Sequence, residues 1–274
     1  FHHEDFGKAV GDDTDFILLG VASAGVEWAI DKLAGVLKKP IPVIMITKGM
    51  SPQEATLAAF PDVVQAALEK RLGFKVPVAA IGGPCIAGEL AVRRQTGTVI
   101  VSRDPKLAQF FAEAFVTEYY HPRVSTDMIG VEVCAAFKNF FAISVGWAHG
   151  KLEVLPESEN KARNNNAAAI LFDQAVREMM ELTRALGGGA ESVWGMPGTG
   201  DLYVTCQAGR NSRLGNHLGR GLTYGEVKAG PMREDTIEGA ELGRSVAASL
   251  RAMMKAGTLP QQRVPLTSAL LDCL

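Results

Sequence analysis

The sequence predicts an α/β protein in two parts: a partial doubly wound parallel-sheet domain over residues 1–125, then an all-α domain over 126–274. Three observations predict it. In the first part, short and nearly continuous apolar runs alternate with helical patterns, as strands buried on both faces of a helix-covered parallel sheet require. From Asp127 onward, apolar residues recur at helical spacing and strand-like runs cease. No internal repeat or low-complexity tract interrupts either part.

Taken in order, the strand candidates are Phe16–Val21 (FILLGV), Pro42–Thr47 (PVIMIT), Val76–Ile81 (VPVAAI) and Thr98–Ser102 (TVIVS), each bounded by Gly, Pro or Asp. Helices are expected over Ala24–Leu37, Pro52–Leu72 and Pro105–Phe115. Ser51 has the character of an N-cap, with Pro52 at the first helical position and Glu54 three residues beyond the cap. In the second part, Asp127–Trp147, Asn166–Leu186 and Glu238–Ala256 are helix candidates. Gly187 is placed to end the second of these. The polar segment Lys151–Asn165 is expected as a solvated loop, and the run Gly195–Gly200 (GMPGTG) as a turn.

Composition narrows the function classes. The chain has 274 residues, 47% hydrophobic and 21% charged, with a net charge of −2. That balance gives no electrostatic support for binding nucleic acid or an anionic membrane, while leaving room for a small local anion site. No run of ~20 apolar residues is seen, so no membrane span is expected. The four cysteines, Cys85, Cys134, Cys206 and Cys273, lie far apart. Neither a disulfide framework nor a metal site is expected, and a reducing cytoplasm fits this usage. His2 and His3 read as surface residues.

The most unusual local feature is Val131–Val145 (VEVCAAFKNFFAISV), where Lys138 and Asn139 interrupt an apolar helix pattern. An ammonium buried there needs a partner. It either pairs with an acid, snorkels to solvent, or carries a lowered pKa suited to proton transfer. In Gly198–Asn211 (GTGDLYVTCQAGRN), Asp201 follows a glycine turn and Arg210 precedes a short helical stretch. Arginine with free backbone amides at a helix start makes an anion site, although an exposed loop arginine has the same local sequence. Thr47-Lys48-Gly49 and Gly82-Gly83-Pro84-Cys85 each follow a strand candidate. In open α/β sheets those ends face the ligand crevice; ordinary turns remain the alternative.

These clusters, in this order, resemble NAD(P)-dependent glycerol-3-phosphate dehydrogenases of the bacterial type. The resemblance rests on DFILLGVAS, ITKG, GGPCIAGELA, IGVEVCAAFKN, GTGDLYVTC, GRN and IEG, and spans nearly the whole chain. It implies a Rossmann-like dinucleotide-binding domain over 1–125, incomplete because no GxGxxG turn follows a strand, and a helical substrate-binding and catalytic domain over 126–274. The missing turn is expected in a segment upstream of Phe1. The implied reaction interconverts dihydroxyacetone phosphate and sn-glycerol 3-phosphate by hydride transfer with NAD or NADP. The resemblance also implies a place in glycerophospholipid metabolism.

By the same resemblance, Lys138 is the general acid/base, Lys48 an active-site lysine near substrate and nicotinamide, and Asp201 the acid that positions Lys138 and substrate. Asn139, Thr205, Arg210, Asn211, Gly83 and Cys85 would contact substrate, with Arg210 and Asn211 on its phosphate. Lys48, Ala87, Arg210 and Glu238 would contact the cofactor. A homodimer is implied. The stretch NNNAAAILFDQAVREM departs from the family pattern, with Ala168, Asp173 and Gln174 where Arg, Thr and Arg are common. The alternatives are a related two-domain reductase of another 2-oxo compound, or a non-catalytic homologue that binds a phosphorylated metabolite.

Overall fold

The structure, a computed structural model, describes residues 5–159, 162–207 and 209–274. His2 and His3 lie outside the described residues, as do Asn160 and Lys161 of the polar loop and Ala208. The chain divides into two compact units, Phe1–Ser51 with Ala58–Met128, and Pro52–Leu57 with Ile129–Leu274.

In the first unit, a short helix α1 (Phe6–Ala9) precedes β1 (Ile17–Leu19), α2 (Val26–Val36) and β2 (Val43–Met45). Next come the hairpin strands β3 (Met50–Pro52) and β4 (Leu57–Ala59), α3 (Phe60–Leu72), β5 (Val78–Gly82) and α4 (Ala87–Ala91). The unit closes with β6 (Thr96–Val101), α5 (Pro105–Phe115) and β7 (Tyr120–Ser125). The main sheet has the order β1-β2-β5-β6-β7. Strands β1, β2 and β5 run parallel, with Leu19 opposite Met45 and Met45 opposite Ala80. The core cluster holds Ile44, Ala79, Ile100, Leu107, Ala108 and Phe111, with Phe16 and Phe115 packed against it. Burying the Ile, Leu and Phe side chains among them contributes about 1.5–3 kcal/mol each. Asp104 caps α5 by accepting from the Lys106 amide at 2.9 Å, and Pro105 opens it, as its sequence leads one to expect.

Three sequence expectations are corrected in this unit. The sheet is not wholly parallel: β6 runs antiparallel to β5, with Ile81 opposite Ile100. The connection holds only the short α4, and such a return suits an antiparallel partner better than a parallel crossover, which needs a full helix. Strand β7 was not foreseen. It pairs parallel with β6 through six residue pairs, but its polar, half-exposed sequence with Pro122 is that of an edge strand. Ser51 and Pro52 do not start a helix; they lie in β3, and the helix begins only at Phe60, with Pro61 in its first turn.

The second unit is helical: α6 (Met128–Glu153), α7 (Asn165–Ala185), α8 (Ala190–Trp194), α9 (Asp201–Gln207), α10 (Arg210–Gly219), α11 (Tyr224–Ala229), α12 (Glu238–Ala256) and α13 (Pro265–Cys273). Gly187 follows α7 with φ +86°, the left-handed conformation that ends helices on glycine. Helix α6 runs six residues beyond the expected Trp147, taking the start of the polar loop into its last turn. One helix bears on the expectation that no segment spans a membrane. Helix α6 qualifies by length and composition, but 94% of its apolar window is buried inside the protein. Its all-round hydrophobicity is that of a central core helix.

Helices α6 and α10 touch backbone to backbone. Each carries glycines four apart, Gly146 and Gly150 on α6 and Gly215 and Gly219 on α10. A Cβ at Gly146 or Gly150 would overlap the Ser212 or Asn216 carbonyl, and one at Gly215 or Gly219 the Ile143 or Trp147 carbonyl. Only glycine permits this approach, and it sets the distance between the residues that the two helices present at their next turns.

Candidate functional site

Lys138 sits on α6 amid Phe137, Phe140 and Phe141, all fully buried. The Phe137–Phe140 and Phe140–Phe141 ring centroids lie 6.0 and 5.4 Å apart. Lys138 is 7% exposed and Asp201 1%. The lysine Nζ donates to Asp201 Oδ1. Snorkelling is thereby excluded, and the charge finds its compensation inside the protein. Asp201 is delivered by a π-helical turn, Met196–Gly200, that leads directly into α9. The GMPGTG run is thus a tight, partly buried turn. Its Gly198 presses on the backbone of Val193, where a Cβ would lie 2.6 Å from the carbonyl carbon.

Next to this pair runs a ladder of amides. The Gly239 N–H donates to Asn211 Oδ1 at 2.8 Å. Asn211 Nδ2 donates to Asn139 Oδ1 at 3.1 Å, and Asn139 Nδ2 donates to Glu238 Oε2 at 2.9 Å. Each amide therefore has a fixed orientation, because its oxygen and nitrogen face different partners. Arg210 Nη2 lies 3.7 Å from Glu238 Oε1, with both side chains roughly half exposed. Arg210 opens α10 after Gly209, whose φ is +130°, so a cation and the positive end of a helix coincide. Thr205 Oγ1 donates to the Asp201 carbonyl at 2.7 Å, one turn back along α9.

Cys206 is also close. Burial pushes its thiol up to about 12, against the opposing pull of the Lys138 charge. It packs against the small apolar cluster of Val145, Ala148 and Ala168.

The remaining expected residues lie in the first unit, at the carboxyl ends of its parallel strands. Thr47 Oγ1 donates to the Val21 carbonyl at 2.7 Å, joining the ends of β1 and β2. Lys48 and Gly83 each stand three residues beyond the Met45–Ala80 pair of β2 and β5. Lys48 is half-buried. Gly83 has φ +110°, and a Cβ there would lie 3.3 Å from Thr98 Cα, so its glycine is required. Cys85 follows. Burial raises the Tyr120 phenol above its ordinary value, the Thr98 hydrogen bond opposes this, and the neighbouring Cys85 adds to it. Ala87 is exposed at the start of α4.

The helical unit thus brings together Lys138, Asp201 and Thr205, and beside them Asn139, Asn211, Arg210 and Glu238. The sheet unit holds Lys48, Gly83, Cys85 and Ala87 at its strand ends. Sequence reasoning missed the Gly239 amide and Ser212, whose Oγ donates to the Thr205 and Cys206 carbonyls at 3.1 and 3.3 Å. It also missed the glycine seam, for which the spacing GWAHG against GNHLG was the available signal. The departures on α7 find local partners. Gln174 Nε2 donates to Glu178 at 2.7 Å, Asp173 pairs with Arg177 at 2.6 Å, and Ala168 is buried. Among the described residues no group of three or more His, Cys, Asp or Glu is placed to hold a metal ion.

Comparison with known proteins follows the same division. The family model described as NAD-dependent glycerol-3-phosphate dehydrogenase N-terminus matches residues 2–108, and its C-terminus counterpart matches 127–274. An NADP(+)-dependent glycerol-3-phosphate dehydrogenase of Archaeoglobus fulgidus is 34% identical over 216 residues, covering 79% of this chain and 62% of the relative. A glycerol-3-phosphate dehydrogenase [NAD(P)+] of Caulobacter vibrioides is 31% identical over 251 residues, covering 89% and 70%. The chain spans about three-fifths of the length of the archaeal relative and of mycobacterial ones (62% and 61%). The crystal structure of glycerol-3-phosphate dehydrogenase from Coxiella burnetii superposes with a TM-score of 0.74 at 26% identity, covering 94% of this chain and 72% of that one.

Proposed function

The chain belongs to the NAD-dependent glycerol-3-phosphate dehydrogenase family, and from that premise we propose that it interconverts dihydroxyacetone phosphate and sn-glycerol 3-phosphate, using NAD or NADP. The observation that carries the reading is the buried Lys138–Asp201 pair, with the amide ladder and Arg210 beside it. A reducible carbonyl needs a proton donor, an orienting polar wall and an anchor for its phosphate. Those three groups stand on α6, α9 and α10.

In reduction, Lys138 gives a proton from Nζ to the oxygen on C2 as negative charge develops there, and its positive charge stabilises that oxygen beforehand. Asp201 holds the ammonium in place and favours its charged form until transfer. In oxidation the neutral amine takes the hydroxyl proton back. Arg210 gives up its loose contact with Glu238 for the substrate phosphate, a stronger charge-assisted partner. Asn211 stands with Arg210 on the phosphate, while Asn139 and Thr205 form the polar wall that orients the rest of the substrate. Fixing the substrate at both ends supplies the orientation on which the rate depends.

The strand ends suit a nicotinamide cofactor, because in open α/β sheets the carboxyl ends of parallel strands face the ligand crevice. In the sheet unit Lys48 and Ala87 would contact it, with Gly83 and Cys85 on the loop that approaches substrate and cofactor. In the helical unit Arg210 and Glu238 are the candidates for cofactor contact. When bound, the cofactor supplies the hydride in reduction and accepts it in oxidation. Residues 1–125 form the dinucleotide-binding part and 126–274 the substrate part in this reading. A homodimer and a cytoplasmic setting belong to the same proposal.

The test uses the full-length protein. NADH or NADPH is expected to be oxidised only when dihydroxyacetone phosphate is present. Undiminished turnover in Lys138→Ala would refute the assigned proton donor.

A further inference from the structure

Helix α12 carries two serines that behave differently. Ser245 Oγ donates to the Leu242 carbonyl at 2.9 Å, the local bond that helical serines ordinarily make. Ser249, 3% exposed, instead donates to the Gln53 carbonyl, 196 residues away in sequence. Gln53 follows β3, and its own amide donates to the Thr56 carbonyl at 2.9 Å, closing the hairpin tip. That tip, Pro52–Leu57, groups with the helical unit, whereas the residues on either side group with the sheet unit. Leu57 at its far end is buried.

Lys48 stands just before this hairpin. On one side of it Thr47 is tied to the Val21 carbonyl. On the other, Gly49 has φ +147° and lies so close to the Phe60 ring that a Cβ would meet Cε2 at 2.5 Å. Between Lys48 and Gln53 there is no slack segment, because β3 occupies Met50–Pro52. A buried helical position would be served better by alanine in propensity, so a serine that reaches out to the hairpin has a use beyond the helix.

We propose that Ser249 is a positioning residue for Lys48: it pins the hairpin tip to α12, and the paired strands carry that constraint back to the lysine. The inference rests on the reading of Lys48 as an active-site lysine. Ser249 touches neither substrate nor cofactor and acts through the hairpin.

The test compares wild type, Ser249→Ala and Ser245→Ala in the full-length protein, by hydrogen exchange and by mass-spectrometric amine labelling with acetic anhydride. In Ser249→Ala, exchange of hairpin amides 50–59 is expected to rise roughly tenfold and labelling of Lys48 to change relative to the other lysines. Dihydroxyacetone phosphate reduction is expected to lose roughly tenfold in kcat with KM nearly unchanged. Ser245→Ala is expected to leave all three readouts at wild-type values. Unchanged hairpin exchange or unchanged Lys48 labelling in Ser249→Ala overturns the proposal, as does an equal response in Ser245→Ala. A wild-type protein without reductase activity would sink the site reading alone, since exchange and labelling still decide the tether.

Discussion

Glu178 on α7 accepts hydrogen bonds from both the amide and the hydroxyl of Thr267, at 2.6 and 2.7 Å, and so caps α13 from another helix. Its other oxygen accepts from the Leu266 amide at 2.6 Å and from Gln174. Carboxylates at helix starts satisfy amides that have no partner within the helix, and this one is fully buried. Glu178→Ala is expected to destabilise the helical unit by about 3 kcal/mol, read as a lowered urea midpoint. Glu178→Gln keeps an acceptor and is expected to lose less.

The Lys138–Asp201 pair allows stability and chemistry to be separated. Lys138→Met leaves a carboxylate buried without its ammonium, so a loss of about 3–5 kcal/mol is expected. Adding Asp201→Asn removes that charge and is expected to recover most of the stability. Turnover is expected to stay down by at least about 10²-fold in both variants. Recovery of activity along with stability would make the pair structural.

Arg210→Ala is expected to raise KM for dihydroxyacetone phosphate by roughly tenfold to a hundredfold. The effect on unphosphorylated dihydroxyacetone is expected to be small. Steady-state kinetics with the two ketones checks this, and an equal loss on both would remove the phosphate assignment.

The Cys206 thiol, pushed up to about 12 mainly by burial, sets an alkaline dependence. An unfolded thiol loses its proton near about 8.5, so above that pH the folded state holds more protons than the unfolded one and stability falls as pH rises. The contribution is complete below about 8.5 and lost as pH rises toward 12. Between pH 9 and 10.5, wild type is expected to lose more urea resistance than Cys206→Ala. At pH 8, iodoacetamide is expected to label exposed Cys273 well before Cys206.

Much of this molecule was legible because its strongest signals are local. The apolar runs of β2, β5 and β6 state their burial directly, whereas that of β1 leaves Leu18 half exposed; α12 falls within its expected bounds, Glu238–Ala256. Lys138 stood out because a charge inside an apolar helix has few explanations. Its partner Asp201 was expected from the family resemblance alone, because the turn that carries it has glycines and no periodicity. Strand β7 was hidden by its half-exposed face, and the β3–β4 hairpin by Ser51 and Pro52, which have helix-starting character but serve a strand. The role of Gln174 was equally out of reach, because its departure from the family pattern has meaning only beside Glu178.

The seam between α6 and α10 bears on how this protein can be altered. Where two helices meet through side chains, a change on one can be offset by a change on the other. Here the contact is made of carbonyls and missing side chains, so Gly146, Gly150, Gly215 and Gly219 have no counterpart to adjust. A library selected for new substrates is therefore expected to accumulate changes at exposed Asp173, at Gln174 and in the loop after α6, while those glycines stay invariant. Neutral drift faces the same wall: a side chain at any of these four positions would have to displace the backbone of the facing helix.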